Sequence, residues 1–200
     1  MFQPLGELAA DLELATRAAQ VWWPGRVAQV TEVLFEWSPG RRDRRYLGNR
    51  TAFDAVFLHT TPTGGRGFVG IETKYHEHPA RPGRLTHERL ARYVEVAARS
   101  GVFRPGWREA LAQTSLEQIW LDHLLTLSML EEWGDGLCVL LYPTANAAMA
   151  GAASRYTTWL LHARTFEHST LEELVTRLGQ VTSAPWVAAF QDRYLEFEKL

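Results

Sequence analysis

Gly67-Phe68-Val69-Gly70-Ile71-Glu72-Thr73-Lys74-Tyr75-His76-Glu77, read with Thr51-Ala52-Phe53-Asp54-Ala55-Val56-Phe57-Leu58 just before it, decides the fold. Between the two runs, Thr61-Pro62-Thr63-Gly64-Gly65-Arg66 is turn chemistry, with two glycines free to take positive φ. The runs therefore read as the strands of one hairpin. Side chains on a strand alternate between faces, so Glu72 and Lys74 project to one side while Val69, Ile71, Thr73 and Tyr75 project to the other, where they can be buried. A turn centred near Thr63 sets Asp54 across from Glu72. Two carboxylates and a lysine then share one patch.

Upstream, Val27 to Trp37 is rich in β-branched and aromatic residues and reads as a strand, with Val33, Phe35 and Trp37 on one face and Glu32, Leu34 and Glu36 on the other. Ser38-Pro39-Gly40 ends it. The strands of Glu36, Asp54 and Glu72 follow one another through reversing connections, so an antiparallel meander is the simplest arrangement. The even spacing of the three acids would bring them to one face, where like charges repel unless a cation sits among them. The first connection is long enough to shift register, which makes Glu36 the weakest member. That connection carries Arg41, Arg42, Arg44 and Arg45, with Arg50 following, an exposed basic stretch. Such a run is commonly only a solvated loop, but beside this patch it is also a candidate contact for nucleic acid.

The rest of the chain supplies helices and further strands. Leu5, Leu8, Leu12, Ala15, Ala19 and Trp22 step by three and four, a single helix with one buried stripe, and Glu7, Asp11 and Glu13 lie off it. His78 to Gly83 is loop, Thr86 to Ser100 a helix stopped at Gly101, and Ser115 to Trp133 the strongest helix, with Leu116, Ile119, Trp120, Leu124, Leu127 and Leu130 on one side. Leu137 to Tyr142 is wholly apolar and ends at Pro143, the mark of a strand buried on both faces. Asn146 to Arg155 is expected helical, Thr157 to Ala163 a strand, Ser169 to Leu178 a helix opened by a capping box, and Ala184 to Leu200 a last helix. The order is that of an α/β protein, a mixed sheet covered by helices on both faces, with residues 1–200 in one domain.

Composition bounds the function. The chain has 200 residues and a formal net charge of −2, so no overall cationic field draws it to nucleic acid, and any such binding must be local. The single cysteine, Cys138, lies in the apolar run and reads as a small buried side chain. With no leader pattern and no apolar run long enough to span a bilayer, the cytoplasm is the simplest expectation, with no membrane partner.

Phosphodiester hydrolysis needs an activated water and neutralisation of charge at the phosphate, much of which a divalent cation supplies. Magnesium takes oxygen ligands and keeps several waters, so one or two carboxylates plus substrate phosphate hold it; Asp54 and Glu72 suit that task. Lys74 would sit near the water and the phosphate, and neighbouring cations would lower its pKa. The plain alternative is a solvent-facing Glu-x-Lys pair worth about 0–1 kcal/mol. His76 and His78 could suggest zinc but lack a third partner at convincing spacing. Of the eight tryptophans, Trp37, Trp120, Trp133 and Trp159 fall in regular elements and read as core, whereas Trp22, Trp23 and Trp107 are open between core and base stacking.

Asp54 followed by Glu72-Thr73-Lys74 resembles the PD-(D/E)XK nuclease superfamily, with its acid on the second core strand and acid-x-lysine on the third. More narrowly, Thr51-Ala52-Phe53-Asp54 and Ile71 to Glu77, with Gln118-Ile119-Trp120 downstream, look like a bacterial branch of restriction-type endonucleases. Phe53 departs from the motif's proline, and the first-helix glutamate of many members has no clear counterpart among Glu7, Asp11 and Glu13. The resemblance implies a restriction-endonuclease-like fold and a Mg2+-dependent endonuclease, with Mn2+ an alternative metal. Asp54, Glu72 and Glu36 would be metal ligands; Asp54, Glu72, Lys74 and Gln118 would be catalytic. Gln118 has a second reading, since with Ser115 at the N-cap it would complete a capping box. The implied partner is nucleic acid, DNA first, with specificity supplied by a homodimer or a partner protein. The other implied class is a non-cutting nuclease-fold module that binds nucleic acid or protein in a defence or mobile-element system.

Overall fold

The computed structural model describes residues 3–79, 83 and 85–195. β2 (Phe53–Thr60) and β3 (Arg66–Thr73) form the hairpin, antiparallel from Thr60↔Arg66 to Ala55↔Ile71, and Gly64 takes φ 84° in the turn. β1 (Gln29–Trp37) pairs antiparallel with β2. On the other side β4 (Asp135–Tyr142) runs parallel to β3, and β5 (Phe166–Thr170) parallel to β4, giving one mixed sheet in the order β1-β2-β3-β4-β5. Parallel neighbours need crossovers. Helices α3 (His87–Ser100), α4 (Trp107–Leu111) and α5 (Glu117–Trp133) carry the chain from β3 to β4, and α6 (Ala147–Thr157) carries it to β5.

Helices cover both faces. Val56, Phe68, Cys138 and Leu140 pack against Tyr93, Trp120, Leu124 and Tyr156 of the crossover helices. Phe57, Val69, Ile71 and Val139 pack on the opposite side against α1 (Gln3–Ala10), α2 (Leu12–Trp22), α7 (Leu171–Leu178) and α8 (Pro185–Tyr194). The run Leu137 to Tyr142 is buried on both faces, as its apolar continuity predicts, and Cys138 is a buried free thiol. Trp22 and Trp23 are core, and Trp107 packs between Phe103 and Trp120, so these three are not free stacking platforms.

Several expectations are corrected. The N-terminal helix is two: Asp11 Oδ1 accepts the Leu14 N–H at 2.9 Å, capping α2, and Leu12 is left 39% exposed instead of joining the stripe. Thr157 to Ala163 is not a strand. It finishes α6 and turns, touching Phe103 by one isolated bridge at Leu160, while the fifth strand lies at Phe166–Thr170. Trp37 leaves the face of Val33 and Phe35 for that of α5, where it meets Trp133 edge-on at 6.2 Å. The preceding Glu36 has φ 48°, a left-handed conformation that breaks the alternation. The end of the expected last helix, 196–200, and residues 80–82 of the expected loop lie outside the described residues.

Candidate active site

The β2–β3 ladder stops at Ala55↔Ile71, whereas β3 continues along β4, with Lys74 N–H donating to the Leu141 carbonyl at 2.8 Å. One register step beyond that last pair, Asp54 stands opposite Glu72 where the strands part. In the gap Asp54 Oδ2 accepts the Thr73 N–H at 2.7 Å, replacing the lost ladder partner. Lys74 Nζ donates to Glu72 Oε1. Among the described residues, Asp54 Oδ1 and Glu72 Oε2 accept no protein hydrogen bond. The structure therefore brings Asp54, Glu72 and Lys74 together, with one oxygen of each carboxylate fixed and one left over.

Glu72 is not the solvent-facing residue of an arbitrary strand; it is only 7% exposed. Burial pushes its carboxyl up to about 7, against the pull of Lys74 and helped by the charge of Asp54. Burial also raises Asp54, with the Thr73 N–H and Lys74 pulling back and Glu36 and Glu77 pushing further. For Lys74 burial alone would lower the pKa, but Glu72, Asp122 and Asp54 outweigh it and hold the ammonium protonated. The protein groups around Lys74 are acids, and the lowering expected from neighbouring cations concerns a site that holds metal. A buried pocket with more carboxylates than ammonium groups favours a further positive charge.

The residues fit a hard divalent cation. Two oxygens on rigid strand ends, each free of a protein partner, suit magnesium or manganese, which complete their coordination with water and substrate phosphate. No three His, Cys, Asp or Glu side chains among the described residues form a ligand set. Glu36 does not join Asp54 and Glu72 as a third carboxylate: its left-handed backbone leaves it exposed, and it acts on them only through its charge.

Gln118 departs from one of its two readings. The helix begins at Glu117 without a side-chain cap from Ser115; Thr114 Oγ1 takes the Leu116 N–H, and Gln118 Nε2 donates instead to Asp122 Oδ1 at 2.8 Å. Asp122 is 3% exposed and one helical turn deeper; burial raises its pKa well above the ordinary carboxylate range, with the charge of Glu72 adding to the rise and Lys74 opposing it. Sequence reading missed it. The available signal was an acid at i+4 from Gln118, directly after the apolar run Ile119-Trp120-Leu121. Asn146 was also missed: its Oδ1 caps α6 at Met149 N–H, 3.1 Å, and its Nδ2 donates to the Glu77 carbonyl at 3.0 Å, tying down the segment after Lys74. A cleft of about 440 Å³ opens beside that segment, lined by Tyr75, His76, His78, Pro143 and Asn146.

The basic loop is partly self-neutralised. Arg44 pairs with Glu88, and Arg45 with Asp43 at 2.7 Å. Arg41 donates to the Glu36 carbonyl at 3.0 Å, and Arg42 and Arg50 are exposed with no acid partner among the described residues. The loop is also pinned rather than free, through buried Tyr46 and Leu47 and through Arg92, which donates to the Tyr46 carbonyl at 2.8 Å.

A family model described as the PD-(D/E)XK nuclease superfamily matches residues 1–196. The chain belongs to the PD-(D/E)XK nuclease superfamily. Its five-stranded mixed sheet, helices on both faces, is the restriction-endonuclease-like α/β architecture of that superfamily. Within this nuclease-superfamily chain, the phenylalanine at the motif's proline position has a packing role: the Phe53 ring lies over Gly70, where a Cβ would come within 2.6 Å of it. No curated protein and no solved structure matches the chain. Among the described residues no helix is long and apolar enough to cross a membrane.

Proposed function

We propose that this chain is a divalent-cation-dependent endonuclease that hydrolyses phosphodiester bonds in DNA, with Asp54 and Glu72 holding Mg2+ or Mn2+. The convergence of Asp54, Glu72 and Lys74 at the parting of β2 and β3 carries the reading. When bound, the cation supplies Lewis acidity at the phosphate and makes a water nucleophilic near neutral pH. The chain's residues do the rest. Asp54 is oriented by the Thr73 N–H, and Glu72 by Lys74, so neither carboxylate must be ordered at the moment of reaction. Lys74, set among acids, would act as an electrostatic partner of the charge developing at the phosphate and would orient the attacking water. Gln118 borders the site through Asp122 as an auxiliary group, and Glu36 contributes long-range negative charge. Arg41, Arg42 and Arg50 are the cations available for flanking phosphates, with Arg44 and Arg45 contributing less because acids already hold them. A second copy or a partner protein would supply sequence specificity.

The test is cleavage of supercoiled, linear duplex and single-stranded DNA, and of RNA, with Mg2+ or Mn2+ against EDTA. Cation-dependent cutting of DNA is expected, falling by at least about 100-fold in Asp54→Ala and Lys74→Ala, the loss typical of removing one preorganised charge-stabilising group. Cutting that persists unchanged in both variants sinks the assignment.

A further inference from the structure

Asp122 is a buried acid beside the site that the proposed chemistry leaves without a task. Its position follows from the packing of α5 on the sheet. Leu130 of α5 lies against Gly136 of β4, its Cδ2 3.0 Å from where a Cβ would stand, and the tight turn at Gly134 sends β4 back beneath the helix. Two turns back along α5, about 12 Å, is Asp122. The same distance along β4 reaches Leu140, the register partner of Glu72. Asp122 therefore sits under the Glu72–Lys74 pair on the face that both side chains share. Its Oδ1 is clamped by the Gln118 amide at 2.8 Å, while its Oδ2 is buried and has no hydrogen-bond partner.

A buried carboxyl oxygen left without a partner is destabilising unless a donor reaches it in some state of the protein. Among the described residues the ammonium nearby is that of Lys74, now bonded to Glu72. The sequence holds two lysines against nineteen arginines, so a flexible ammonium stem is placed here where a rigid guanidinium is used almost everywhere else. We propose that Asp122 is a positioning residue for Lys74, its Oδ2 receiving the ammonium when Glu72 gives its carboxylate to a bound cation. Lys74 is thereby kept beside the phosphate instead of following Glu72 or turning to solvent. This rests on the cation-dependent reading above. Gln118 acts one step further out, holding the Asp122 carboxyl so that Oδ2 points at the lysine.

The experiment uses the full chain labelled with 13C and 15N at lysine. With only Lys74 and Lys199 present, Lys199→Arg identifies the Lys74 signals directly. Mg2+ is added without DNA, its binding followed by calorimetry, to the wild type and to Asp122→Asn, which keeps the volume and the Gln118 contact but cannot take up a negative charge when the ammonium arrives. In the wild type the two Lys74 Cε protons should stay distinct with Mg2+ bound; in Asp122→Asn they should merge as the ammonium loses its anchor. Cleavage by Asp122→Asn should fall about 10–100-fold in kcat with the KM for DNA within about twofold, the range seen when an outer partner of a metal site is removed. Identical Mg2+ responses of Lys74 in the two proteins, or wild-type kcat in Asp122→Asn, overturn the anchor while leaving the nuclease reading intact. Absence of Mg2+ binding by the wild type overturns both. Should Asp122→Asn not fold, Gln118→Ala at its exposed position must show the same lysine change in milder form, and an unchanged lysine signal there overturns the proposal.

Discussion

Glu72 concentrates the conflict between folding and chemistry at a single residue. The folded protein binds its proton more tightly than the unfolded chain, since burial carries the carboxyl from its ordinary 4.5 to about 7. Its contribution to stability is therefore complete below about pH 4.5 and is lost as pH rises through about 7. Asp54 and Asp122, both raised, act with the same sign. In EDTA the protein should thus lose stability between about pH 4.5 and about pH 7, by on the order of 3 kcal/mol from Glu72. Glu72→Gln should flatten that slope in thermal melts taken across the range; an equally steep slope in the variant would show that the pH dependence arises elsewhere. Divalent cation should reverse the trend, because the ionised carboxylate is the form that binds it. The sequence makes Glu72-x-Lys74 legible as a pair, but not its burial, because burial depends on α5 arriving from about fifty residues downstream.

At the scale of elements, the β2–β3 hairpin positions the site by ending its ladder early. Phe53 leans over Gly70, and this contact fixes the start of β2 just before Asp54. Gly70→Ala would put a Cβ 2.6 Å from the Phe53 ring. Overpacking of this kind costs typically about 1–3 kcal/mol, and the displaced Phe53 should carry Asp54 with it. Urea unfolding should report the loss of stability, and Mg2+ calorimetry a weaker affinity; an affinity equal to wild type would separate the contact from the site. The hairpin was legible because period-two alternation and a Pro-Thr-Gly-Gly turn agree. β5 was not, since Phe-Glu-His-Ser-Thr has one apolar residue and becomes a strand only by pairing with β4. The break at Asp11 was hidden for another reason: its side chain competes with the backbone for the Leu14 N–H, and the apolar steps of three and four run straight across it.

For the molecule as a whole, a net charge of −2 leaves nucleic-acid attraction to local surface. Arg44 and Arg45 are already paired with Glu88 and Asp43, whereas Arg42 and Arg50 are not paired among the described residues. Reversing Arg42 and Arg50 to Glu should weaken DNA binding in Ca2+ and reduce the salt slope by roughly 2, near 0.9 for each phosphate contact removed. Removing Arg44 and Arg45 should do less. Fluorescence anisotropy across a salt series distinguishes the pairs, and equal slopes would remove the loop from the interface. The sequence by itself determined the meander, the doubly buried strand and the coincidence of an acid with an acid-x-lysine, because alternation, turn residues and spacing are local properties of the chain. Only the tertiary structure decided that Glu36 stands apart, that Gln118 serves Asp122 rather than its own helix cap, and that Asp122 lies beneath Lys74. Those depend on a left-handed residue at a strand end and on the height at which α5 crosses β3 and β4, neither of which any local pattern encodes.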